Sequence, residues 1–185
     1  MINDVLADAK ERMGKSIANT QHEFLVIRTG RATPALLDGI RVEYYGTKVP
    51  LKQVANIAAP DPRMLVVQVF DRTAVSTVEK AIQTSDIGLN PQTDGNLIRL
   101  PIPSLTEERR RELIKYIHKL AEEGRVAIRN IRRDANDMTK ELEKESEISE
   151  DAAHNALQDI QKLTDEHIEK VDELVKRKEK EIMEE

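Results

Sequence analysis

The sequence predicts an α+β protein: an elongated three-helix bundle with a smaller α/β domain inserted between its first and second helices. Two distributions predict it. All seven prolines lie between Pro34 and Pro103, and five of the seven glycines between Gly30 and Gly95. Proline costs a helix interior about 3 kcal/mol and glycine about 1 kcal/mol against alanine. The turn-formers therefore mark a middle segment, 30–105, between helix-compatible arms at 1–29 and 106–185. A third observation is the spacing within the arms, where apolar residues recur at steps of three and four and make one stripe per helix.

In the first arm the stripe runs through Ile2, Leu6, Ala9, Met13, Ile17, Thr20, Phe24 and Ile27. The second helix follows Pro103, with Thr106 as N-cap and Glu107 and Glu108 in the first turn, where carboxylates complement the helix dipole. Its stripe comprises Leu113, Ile117, Leu120, Gly124, Ile128, Ile131, Ala135, Met138 and Leu142. Continuous to about residue 145, it would measure about 60 Å. The third helix starts at Ser149 and carries Leu157, Ile160, Leu163, Ile168, Val171, Leu174, Val175 and Ile182. The short link at 145–149 favours an antiparallel pair. Each helix has a single apolar face, so the three must share one core.

The middle segment alternates strand and turn. Ile40–Tyr45 ends at Gly46, Val54–Ala58 is a weaker strand, Met64–Phe70 is the strongest, and Leu97–Ile102 is the last. Thr73 to about Ser85 has helical spacing, and Gly88, Asn90-Pro91 and Asp94-Gly95 mark loop and turn. Tyr44 and Tyr45 alternate faces, so one belongs to the core and the other to the surface. Two short crossings, near 29–32 and 103–106, join the domains and make an elbow, with Gly30 as one hinge residue and Pro103, Ser104 and Leu105 on the other crossing.

Composition narrows the chemistry. The 185 residues include no Cys and no Trp, which excludes disulfides, thiolate zinc sites and cysteine nucleophiles. No apolar run approaches a membrane span, and the charged N-terminal residues Asp4, Asp8 and Glu11 fit neither a signal nor a transit peptide. A cytoplasmic monomer, off the membrane, is expected. Phosphate-binding glycine loops, dinucleotide fingerprints, zinc-protease helices and nucleophile elbows are absent from the sequence. The histidines, at 22, 118, 154 and 167, are scattered. No catalytic residue, metal or cofactor is expected.

The net charge of −5 conceals a division. Residues 109–133 hold nine basic and three acidic side chains, and residues 134–185 hold eight and eighteen. On a helical projection Arg125, Arg129, Arg132 and Arg133 span about 100°, joined by Arg111, Lys115 and His118, on the side opposite the apolar stripe. Glu122 is the one acidic interruption. From spacing alone two readings stand: a solvated face paired with the acidic helix beside it, or a phosphate-binding ridge. Arginine's planar fork of donors suits the second, and structured RNA read by shape in particular. No aromatic interleaves with these arginines, which disfavours a base-stacking platform. Arg28 and Arg31 flank Gly30 and could extend the basic surface. A coiled-coil module that pairs with another protein, without RNA, is the main rival.

Ordered motifs run the length of the chain: Arg28-Thr29-Gly30-Arg31-Ala32, Glu43-Tyr44-Tyr45-Gly46, Lys80-Ala81-Ile82, and Ser85-Asp86-Ile87-Gly88-Leu89-Asn90-Pro91. They continue through Asp94-Gly95, Leu105-Thr106-Glu107-Glu108-Arg109-Arg110, the stretch from Glu123 to Arg133, and Gln161-Lys162-Leu163-Thr164-Asp165. In these the sequence resembles the bacterial ribosome recycling factors over its full length, departing at Thr33 and Ile87. The resemblance implies an L-shaped molecule with a transfer-RNA-like outline. It implies binding to the post-termination ribosome on large-subunit ribosomal RNA. With elongation factor G and GTP, subunit separation and release of mRNA and tRNA would follow, the GTP being hydrolysed by that partner. It places Arg28, Gly30, Arg31, Arg129, Arg132 and Arg133 on ribosome-facing motifs, with Arg125 in the same arginine series.

Overall fold

The computed structural model describes residues 1–184. The chain forms two compact units, one built from Met1–Phe24 and Arg111–Met183, the other from Leu25–Arg110. The segments 29–32 and 103–106 thus both belong to the second unit.

The first unit is helical, formed by α1 (Ile2–Leu25), most of α4 (Glu107–Lys144) and α5 (Glu150–Met183). The ends of its long helices follow from local chemistry. At the start of α4, Arg109 N donates to Thr106 Oγ1 at 3.2 Å, and at the start of α5, Ala152 N donates to Ser149 Oγ at 3.2 Å. Helix α4 stops where Ser146 turns left-handed at φ 60°. There Glu147 N donates to Leu142 O at 2.9 Å and Ser146 N to Glu143 O at 3.0 Å, the bond pair of a Schellman cap.

The core contains Ala9, Met13, Phe24, Ile117, Ile128, Ile160, Val171 and Ile182, all nearly or fully buried. The apolar stripes are corrected on all three helices: Val5 is buried where Leu6 was expected, Thr139 replaces Met138, which is 49% exposed, and on α5 Ala156, Thr164 and His167 are buried beside half-buried Leu157, Leu163 and Ile168. Buried threonines cost little here because each donates back along its own helix: Thr20 to Ser16 O, Thr139 to Ala135 O and Thr164 to Ile160 O. At Gly124, α4 packs closely against Thr20 of α1. A Cβ there would stand 2.5 Å from Thr20 Oγ1.

The second unit holds β1 (Arg41–Tyr44), β2 (Thr47–Pro50), the single turn α2 (Leu51–Val54), β3 (Ala55–Asp61), β4 (Met64–Val69), α3 (Val75–Gln83), β5 (Gln92–Asp94) and β6 (Leu97–Pro101). Strands β1 and β2 make an antiparallel hairpin; the others form an antiparallel sheet of order β3-β4-β6-β5. Leu65 pairs with Leu100 and Val67 with Ile98, so the buried positions of the two central strands line one face. Val75, Val78 and Ile82 of α3 enter the same core, with Leu37, Val42 and Leu51. Burial of each such side chain stabilises by about 1.5–3 kcal/mol.

Strand β2 fills residues 47–50, to which no element was assigned, and β5 lies where loop and turn were expected, at Gln92–Asp94. Every residue of β5 is exposed, so it carries no alternation of apolar and polar residues that could have revealed it. The β1–β2 turn has two left-handed residues, Tyr45 at φ 50° and Gly46 at φ 76°. That geometry matches the twist of a two-residue hairpin, but glycine, asparagine or aspartate normally occupies its first position.

Candidate nucleic-acid interface

The arginine series divides by what each side chain touches. Arg125 leans across to α5, where its Nε and Nη2 donate to Asp172 Oδ1 at 3.0 and 2.6 Å, and its Nη1 donates to Glu122 Oε2 at 3.2 Å. Its side chain is only 20% exposed. Burial alone would lower its pKa, but the bonds to Asp172 and Glu122 outweigh that and hold it above the ordinary value. Arg132 Nη1 reaches Gln161 Oε1 on α5 at 3.4 Å, and Gln161 in turn donates to Asp165. With His118, whose Nε2 lies 2.5 Å from Glu179 Oε1, these side chains make rungs between α4 and α5 at seven-residue intervals along α4. At His118 and Arg125, where the partner is a carboxylate, the face fits the helix-pairing reading; Arg132 is held only by one long bond to an amide.

Arg129 and Arg133 stand differently. Arg129 Nη1 donates to Glu122 Oε1 at 3.0 Å, within its own helix. Arg133 is exposed and makes no ion pair or hydrogen bond among the described residues. Glu122 is thus shared: one oxygen accepts from Arg129, the other from Arg125. Those bonds, Arg129's first and then Arg125's, hold its carboxyl below the usual glutamate range. Asp172, Gln161 and Glu179 escaped the sequence reading. The signal was present, since an antiparallel link at 145–149 sets residues at matching distances from it opposite one another.

In the second unit, Arg28 donates to Ile87 O at 3.2 Å and lies 3.5 Å from Gly88 O. Two of the recognised motifs, Arg28–Ala32 and Ser85–Pro91, therefore meet. Arg31 is exposed and without a partner among the described residues, and Gly30 adopts φ 81°. Both crossings are clipped to one turn, Asp61-Pro62-Arg63. Ala32 N donates to Pro62 O at 2.7 Å, Ile102 N to Arg63 O at 2.8 Å, and Arg63 Nη1 to Ser104 Oγ at 2.6 Å. Pro103 is exposed and Leu105 buried.

Two aromatic side chains of this unit are turned outward: Tyr45 is 85% and Phe70 66% exposed. The half-buried Tyr44 ties their segments together, its ring edge-on to Tyr45 at 4.5 Å and its hydroxyl donating to Asp71 Oδ2 at 3.1 Å. Thr73's bonds foremost, and the Tyr44 hydroxyl after them, lower the pKa of Asp71. Among the described residues, no group of three or more His, Asp or Glu is placed to hold a metal, and no helix is long and apolar enough to cross a membrane.

Comparison with known proteins agrees over the whole chain. The family model described as ribosome recycling factor matches residues 20–183. The ribosome-recycling factors of Bacillus licheniformis and Bacillus subtilis are each 53% identical over 184 residues, covering all of both chains. A solution structure of a ribosome recycling factor aligns with TM-score 0.79 at 45% identity, covering 100% of this chain and 98% of its own. A second structure aligns with TM-score 0.70 at 50% identity, covering 99% of each chain. It is described as models for the T. thermophilus ribosome recycling factor and the E. coli elongation factor G bound to the E. coli post-termination complex. From its arginine-bearing long helix to its inserted antiparallel sheet, the chain belongs to the ribosome recycling factor family.

Proposed function

We propose that the protein recycles ribosomes after translation termination. It binds the post-termination ribosome on large-subunit RNA and, with elongation factor G and GTP, promotes separation of the subunits and release of mRNA and tRNA. It is a cytoplasmic factor and not itself an enzyme; the nucleotide is spent by its partner. The observation that carries this reading is the full-length match to recycling factors, one of which is described together with elongation factor G on a post-termination complex.

The two units take different parts. The helical unit anchors. Arg129, Arg132 and Arg133 meet RNA phosphates, while Arg125, bonded to Asp172, holds α4 against α5 and backs that surface. Arg28 and Arg31 add a second basic contact beside Gly30. The α/β unit receives the partner, for which Tyr45 and Phe70 are its exposed aromatic groups. Nearby charges cancel: Glu43 lies across from Lys48 in the hairpin register, and Asp71 precedes Arg72. A neutral aromatic surface favours a protein over phosphate.

Hinge motion belongs to Gly30 on one crossing and to Pro103, Ser104 and Leu105 on the other, and turning the second crossing breaks the Arg63–Ser104 bond. The backbone clips of Ala32 and Ile102 to the Pro62-Arg63 turn keep the rest of the α/β unit together while those residues turn. The test is direct. Purified protein is mixed with post-termination ribosomes, elongation factor G and GTP, and free subunits are resolved on a sucrose gradient. Splitting that requires all three additions is expected; intact ribosomes would contradict the reading.

A further inference from the structure

We infer that Glu122 is a specificity-determining residue of the arginine ridge, a built-in carboxylate that occupies guanidinium donors which RNA phosphates would otherwise take. The inference rests on the RNA-binding reading above. Its basis is geometric. Glu122 sits within the ridge, and its two oxygens accept from Arg129 Nη1 at 3.0 Å and Arg125 Nη1 at 3.2 Å. Each oxygen occupies a donor of one guanidinium, which a phosphate oxygen would otherwise take, so carboxylate and phosphate compete for it. The Glu122 side chain is 52% exposed, which leaves it free to swing aside when a phosphate arrives.

The competition sorts RNA by its shape. A flexible strand approaching from solvent finds Arg133 unoccupied, but Arg129 already paired with Glu122. It gains little by displacing a carboxylate one phosphate at a time. A folded RNA surface that fixes several phosphates opposite Arg129, Arg132 and Arg133 together displaces Glu122 once, within a multipoint contact. Glu122 therefore suppresses casual binding more than target binding. It works locally, unlike the acidic charge spread over residues 134–185, because it takes the donors themselves.

The experiment compares Glu122→Gln with the wild-type protein against two probes, poly(U) and purified large ribosomal subunits, each across a salt series. The control is Glu123→Gln. It removes the same charge from the neighbouring position, where Glu123 is exposed and makes no ion pair or hydrogen bond among the described residues. For poly(U), E122Q is expected to bind about tenfold tighter, having lost both the competing pair and a charge that repels phosphate. The log–log salt slope for poly(U) should steepen by about 0.7, the contribution of one more neutralised phosphate on a single strand. For large subunits the slope should stay as in wild type, because Arg129 is already engaged there. E123Q should leave the poly(U) slope unchanged.

Four results would overturn the inference: an unchanged poly(U) slope in E122Q, weaker binding of both probes, the same change in E123Q, or a large drop in the thermal stability of E122Q. The second would mean that Glu122 presents the arginines, and the third that only net charge matters. Thermal unfolding of E122Q should match wild type, and a large drop would make Glu122 a structural residue. Wild-type binding to large subunits is read in the same series. If it is absent, the ribosomal reading fails, while the poly(U) arm still judges Glu122.

Discussion

The long helix α4 of the helical unit and the hairpin region of the α/β unit present different kinds of side chain. Along α4 the helical unit displays guanidinium groups, several tethered by a carboxylate or amide: Arg125 by Asp172 and Glu122, Arg129 by Glu122, Arg132 by Gln161. The α/β unit has three of the chain's five aromatics and turns two of them, Tyr45 and Phe70, to solvent. The helices spend little on their surface, because arginine is a good helix former and the ties run between neighbouring turns or helices. The hairpin spends more. Tyr45 holds a left-handed backbone at φ 50° while its ring is 85% exposed. Charge is arranged on a regular scaffold, whereas the aromatic contact is built at a strained turn.

The largest way to break the comparison lies in the helical unit. Gly124→Leu forces a branched side chain against Thr20, so the helices must separate; destabilisation of about 3 kcal/mol is expected. Chemical denaturation should show it as a lower midpoint, with ribosome binding lost alongside. The next change leaves the fold alone. Tyr45→Ala combined with Phe70→Ala should slow factor-dependent subunit separation about tenfold or more, the scale of losing two aromatic anchors, while large-subunit binding persists. If binding fell instead, the aromatic surface would belong to the anchor.

A smaller effect is set by pH. The folded pKa of Asp71 is lowered by Thr73 and Tyr44, so its stabilising contribution is present above the ordinary aspartate range. It is lost as pH falls through the lowered folded value. Asp71→Asn should remove that component of the acid limb in thermal unfolding across pH 6 to 2. The smallest change is a gain. Ser146→Gly relieves a left-handed serine at the α4 cap and should raise stability by about 0.5–1 kcal/mol without altering binding, measured by thermal unfolding.

The sequence made the long helices legible because Thr106 and Ser149 cap them and their apolar residues keep a helical period. The arginine ridge was visible for the same reason: a period that places Leu113 and Ile117 inside places Arg129 and Arg133 outside. What stayed hidden was relational. Nothing near Arg125 in the chain announces Asp172; only counting outward from the 145–149 link along both helices brings the two opposite one another. Met138 and Thr139 exchange their expected roles because a threonine can satisfy its hydroxyl on Ala135 O and be buried. Strand β5 has no apolar residue to betray it and exists only as a partner of β6. The strain at Tyr45 likewise appears only once β1 and β2 pair.

The central claim is that the helical unit anchors through arginine on RNA phosphate. The most direct measurement is large-subunit affinity across a salt series, for wild type and for Arg132→Ala. The account predicts affinity that falls steeply with salt in wild type. It also predicts weaker binding by R132A with a slope shallower by about one and unchanged thermal unfolding. A flat salt response in wild type, or an R132A protein that binds with the wild-type slope, would contradict it.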